Sequence, residues 1–212
     1  MSVSEDGVGR AAAWLKGWDS HGFHRTGTVG DEAGAAWLAA EAAKLGVTPT
    51  AEEFALHRLD PIAAYLEIGP SRIAAVPVFD APATGAGGVS GRLGLAGSTA
   101  AIGVVELSPH AVYGPQYEEL RGGARHEALV IVCKGMRPGL GLLNAERFCT
   151  PYGAPAIHVG SEAREVVFAA AARGADARLV AESRRTPARA PNVVVTIPGR
   201  EPQRAPVVVM TP

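Results

Sequence analysis

Near its C-terminal end the chain reads NVVVTIPGREPQRAPVVVMTP over residues 192–212. Val193, Val194, Val195 and Ile197 make one short β-branched run, Pro198 and Gly199 interrupt it, and Val207, Val208, Val209 and Met210 make a second. Apolar runs of this length between turn residues suit strands buried on both faces, as in the central sheet of an α/β enzyme. Such strands need partners at their edges and helices over their faces. The sequence therefore predicts two central strands in residues 189–212. Their cover is expected either from the rest of these 212 residues or from further polypeptide, which would make the region the front portion of a larger domain.

Hydrophobic residues at 47% and charged residues at 19% fit a soluble globular chain rather than a disordered one. The net charge of −1 leaves no electrostatic footprint for nucleic acid or an anionic membrane. Arg184, Arg185 and Arg189 form a local basic cluster that reads as a solvated loop. Glu5 and Asp6 stand where a signal peptide carries basic residues, and no run approaches the ~18 apolar residues that span a bilayer. Cytoplasmic residence without membrane association is the expectation. Cys133 and Cys149 are too few for a disulfide framework, in keeping with a reducing compartment.

Helical spacing of Trp14, Leu15 and Trp18 predicts a first helix over residues 5–18. A second follows a Gly- and His-containing loop: Thr28 or Asp31 caps it, Asp31 and Glu32 suit the positive end of its dipole, and Gly46 ends it. Trp37, Leu38 and Leu45 give it a face to bury. Extended runs follow at residues 51–59, 63–69 and 73–79, the last holding Pro77 and so expected at an edge. Residues 80–98 carry glycines that read as turns between short strands. Strands are predicted at 102–107, 128–133, 154–159 and 178–183, with a helix from Ser161 as N-cap to Gly174, and RRTPARAP at 184–191 as a linker. These patterns divide the chain into residues 1–65, 66–188 and 189–212, with the middle unit an α+β body of mixed strands.

Few constellations carry chemistry. His21 and His24 have an i, i+3 spacing that could serve zinc, but Gly22, Gly27 and Gly30 make the segment a loop, which packs the first helix against the second. Cys133 ends an apolar strand and reads as a small buried hydrophobe. Cys149 lies beside Arg147, and in this half of the chain His126 and His158 are the candidates for its base. GAGGVSG at 85–91 lacks the Gly-Lys-Ser/Thr ending of a phosphate loop. Lys134 and Arg137 lie on a Gly-rich turn open to an anion or simply to solvent.

NVVVTIPG followed by a charged loop and APVVVMTP resembles the opening of the catalytic domain of the di-zinc aminopeptidase family, which includes glutamate carboxypeptidase and the transferrin receptor ectodomain. FHRTGTVGDEAGAAWLAAEAAKLGV at 23–47 resembles that family's opening helix. HEALVIVCKG at 126–135 and GAPAIHVGSEAREVVFAAAARGADARLV at 153–180 are similar to its inserted protease-associated domain, here spanning about residues 66–188. The resemblance implies part of an α/β/α aminopeptidase-like sheet layer carrying an inserted, protease-associated-like mixed β domain.

In catalytic members of that family the second strand runs into a His-x-Asp pair that binds metal. The corresponding place here falls on Pro212, which has no ligating side chain. Glu52, Glu53, Asp60 and Asp80 have no histidine at metal-binding spacing. The expectation is a non-catalytic scaffold or a ligand- and partner-recognition portion of a metallopeptidase-like protein, with no catalytic, cofactor or metal residue assigned in this chain. Its expected partners are polypeptide over Val207 to Met210, by self-association or from another subunit, and a peptide or small-molecule ligand. The alternative is the N-terminal part of a zinc-dependent aminopeptidase or amide hydrolase, with zinc bound only if the catalytic half is supplied by a continuation or a partner chain.

Overall fold

A computed structural model describes residues 5–123, 125–135, 139–201 and 203–210. They divide into two units: Leu59–Thr186 forms one, and Met1–Arg58 with Pro187–Pro212 the other.

In the second of these, helix α1 covers Glu5–Asp19 and α2 covers Val29–Lys44. The Thr28 hydroxyl caps α2 by accepting from the Asp31 N–H at 3.3 Å, and the Asp31 carboxylate accepts from Gly27 N–H at 2.8 Å. One of the first turn's unpaired donors is thereby met, and the residue before the cap is tied to the helix as well. The helices meet through Trp18 and Trp37, whose ring centroids are 6.1 Å apart, and Gly17 and Gly34 give these indoles room that a Cβ would fill. Leu38 and Leu45 stay exposed, so the predicted buried face of α2 is carried by Trp37 alone of those three.

Strand β1 runs unbroken over Pro49–Ile68 and β7 over Asp176–Val195. Both pass from one unit into the other. The runs at 51–59 and 63–69, expected as two strands, are one strand through Pro61, and RRTPARAP, expected as a linker, lies inside β7. Proline supplies extended φ and only lacks a donor, so it is tolerated where no ladder bond needs its nitrogen. In the first half of β1, Thr50 donates to the Val194 carbonyl at 3.4 Å and Arg189 pairs with Glu53 at 2.9 Å. Residues 193–195 thus lie beside the start of β1. The second predicted central strand does not form: Val207, Val208, Val209 and Met210 are non-strand and fully exposed, from 74% to 91%. An apolar run has the propensity for a strand, but no neighbour pairs with it among the described residues. Pro212, read above as standing in a ligand position, lies outside the described residues.

Leu59–Thr186 is built on a mixed seven-stranded sheet closed into a barrel in the order β1-β2-β6-β5-β4-β3-β7, with β2 at Ser71–Pro77, β3 at Val89–Leu95, β4 at Ile102–Leu107, β5 at Ala128–Cys133 and β6 at Ala156–Val159. Strands β3, β4, β5 and β6 are mutually parallel, and β2 and β7 run antiparallel to their neighbours β6 and β3. The mixed strand directions agree with the body of mixed strands expected here, and the sheet closes on itself. Every residue of β5 is buried. Ala128, Val130 and Val132 join one cluster with Leu66, Ile102, Ile157 and Leu179, and Leu129 and Ile131 join a second on the opposite face. Each such Val, Leu or Ile contributes ~1.5–3 kcal/mol on burial, which is why an unbroken apolar run suits this central position.

Helix α4, Arg164–Ala172, covers the first cluster with Val167, Ala170 and Ala171. Ser161 is not its N-cap: residues 161–163 form a 3-10 turn, and the Ser161 hydroxyl instead accepts from the Gly139 N–H at 3.2 Å. Helix α3, Pro115–Gly122, covers the second cluster with Tyr117 and also buries Arg121.

Candidate functional site

Side-chain alternation on β5 and β6 decides where the reactive groups of Leu59–Thr186 lie. Cys133 has the parity of Leu129 and Ile131, and His158 the parity of Ala156, so both face the α3 side of the sheet. His158 sits opposite Ile131 in the parallel register, and its Nδ1 is 4.0 Å from the Cys133 Sγ. On α3, Tyr117 and Arg121 are separated by four residues and therefore share one face. Asp80 follows β2 and meets them from the other side.

Arg121 is the centre of this cluster and only 1% exposed. It donates to the carbonyls of Tyr152 at 2.8 Å and Asp80 at 3.2 Å, and to the Tyr117 hydroxyl at 3.3 Å. The Asp80 Oδ1 stands 3.5 Å from the guanidinium as an ion pair without hydrogen-bond geometry, and Arg121 Nε has no hydrogen-bond partner. The Tyr152 ring lies 4.7 Å from the guanidinium carbon, a cation–π distance. Gly153 takes φ +71° with its Cα beside the Arg121 carbonyl, where a Cβ would come within 2.2 Å. Loop 150–153, the turn after β2 and α3 are thus tied to one guanidinium.

Burial favours the neutral forms of the Cys133, His158 and Tyr117 side chains. Burial raises the Cys133 thiol, which donates to the Gly141 carbonyl at 3.2 Å, so thiolate is disfavoured. Burial, helped by the Arg121 charge, lowers His158 to about 4 and keeps its ring neutral. Burial also raises the Tyr117 hydroxyl. A neutral thiol and a neutral imidazole 4.0 Å apart fill space and satisfy polar atoms. Alongside lies a cavity of about 390 Å³, lined by Val105, Leu107, His110, Ala111, Tyr117 and Leu120, within the size range of small-ligand sites.

The other residues singled out from sequence do not converge. Cys149 is exposed, and no histidine interaction is found for it among the described residues. Both His126 nitrogens serve backbone: Nε2 accepts from the Gly97 N–H at 3.1 Å, which leaves Nδ1 to donate to Ala100 O at 2.7 Å. His24 stacks on Trp18 at 4.4 Å and His21 lies 6.0 Å from Trp37, so the loop packs α1 on α2 as read from its glycines. In GAGGVSG, Gly88 takes φ +68° against the Leu179 carbonyl and Gly91 lies against Ala101, which gives these two glycines a packing role at the start of β3. Arg137 lies outside the described residues, and Lys134 is exposed. Among the described residues no group of three or more His, Cys, Asp or Glu could hold a metal ion. Sequence reading missed Arg121 altogether; its signal was the Tyr117/Arg121 spacing on a helix.

No protein-family profile matches the sequence, and no curated protein does. Solved structures do match. A zinc aminopeptidase from Bacillus subtilis superposes with a TM-score of 0.63 at 15% identity, over 87% of this chain and 45% of that one. A peptidase M28 precursor from Shewanella amazonensis gives 0.62 at 18%, over 85% and 48%. An aminopeptidase from Aneurinibacillus gives 0.55 at 14%, over 86% and 46%. The likeness is one of fold. This chain spans just under half the length of each of these proteins. No helix is long and apolar enough to cross a membrane among the described residues.

Proposed function

We propose that this chain is the scaffold and recognition portion of a metallopeptidase-like protein and carries no peptidase chemistry of its own. The observation that carries the reading is a zinc-aminopeptidase fold across most of this chain, joined to a donor set that brings no three metal-ligating side chains together among the described residues. In this reading Leu59–Thr186 is the inserted, protease-associated-like domain, and the remaining unit is the start of an α/β/α layer. The cavity beside Tyr117 receives an apolar peptide side chain or small molecule. Further polypeptide, from a partner subunit or a continuation, covers Val207, Val208, Val209 and Met210, whose exposure exceeds what a soluble surface ordinarily leaves in one run. The protein works in the cytoplasm.

A second reading is favoured by the shared span of 45–48% of the relatives' length: the chain is the front of an active zinc aminopeptidase whose ligands lie elsewhere. The experiment pairs zinc analysis of the purified, dialysed chain and hydrolysis of amino-acid anilides with the intact mass of the native gene product. The first reading expects substoichiometric zinc, no hydrolysis, and association by light scattering. One tightly held zinc per chain with hydrolysis overturns it. A native product about twice as long that binds zinc establishes the second reading instead.

A further inference from the structure

We draw no further inference here: the strongest candidate, the side-chain cluster of Trp18, His21, His24 and Trp37 where α1 meets α2, holds ring nitrogens without hydrogen-bond partners but is only half-buried, and no third metal-ligating side chain joins it among the described residues.

Discussion

Replacing Arg121 with methionine tests whether the guanidinium is what ties three segments of the barrel unit together. The substitution keeps most of the side-chain volume and removes the charge. It leaves the Asp80 carboxylate, 2% exposed, without its counter-charge, and strips a donor from the Tyr152 and Asp80 carbonyls. Breaking a buried pair from one side costs about 3–5 kcal/mol. With a urea slope of about 2 kcal/mol/M, the unfolding midpoint falls by roughly 1.5–2.5 M. The aromatic residues supply the readout: Tyr65, Tyr113, Tyr117 and Tyr152 all lie in Leu59–Thr186, and Trp14, Trp18 and Trp37 all lie in the other unit. Near-ultraviolet circular dichroism of the tyrosines therefore follows the barrel, and tryptophan emission follows its companion. Adding Asp80→Leu to Arg121→Met recovers at least about 1 kcal/mol, because no lone buried charge remains. A midpoint change under about 0.5 M, or a double variant as unstable as the two single losses added, refutes the role given to Arg121.

Other outcomes follow from the same cluster. Since folding lowers His158 from 6.5 to about 4, the unfolded chain takes up that proton first. Its contribution is therefore complete above pH 6.5 and declines on acidification, by about 3 kcal/mol at pH 4. His158→Gln flattens the fall in urea midpoint across that window, and an unchanged slope would assign the acid sensitivity to other groups. Gly153→Ala forces a Cβ against the Arg121 carbonyl at positive φ and lowers stability by about 1–3 kcal/mol in the same urea titration; a neutral result contradicts the tight approach. With a thiol reagent, exposed Cys149 reacts at once and buried Cys133 only on unfolding, whereas equal rates would mean that the β5 end opens readily.

Local chemistry made part of each unit legible. Residues 128–133 were readable as a buried strand because burial on both faces leaves no polar position to blur the run, and the Thr28 cap and Gly46, at φ +81°, marked both ends of α2. The failures have a common cause in partners distant along the chain. Pro61 and Pro187 look like breaks unless their nitrogens are known to be spared from a ladder, and Val207 to Met210 look like a strand because composition records a preference without its neighbour. Asp80 and Arg121 are 41 residues apart, so only half of that pair, the Tyr117/Arg121 spacing, has any local trace.

Closing the ring between β1 and β7 also sets a timetable for biosynthesis. Ile68 ends β1 and Asp176 begins β7, so at about 5–20 residues per second the ribosome spends roughly 5 to 20 seconds making the chain between them. During that interval β3 keeps one side unpaired, because β7 is its second neighbour. An open strand edge is a template for pairing with another nascent chain. Strand β3 is seven residues long and carries Gly91, Arg92 and Gly94, a composition poorly suited to recruiting a stray strand. The residues that make β3 a weak strand by propensity are the same ones that guard the edge left waiting.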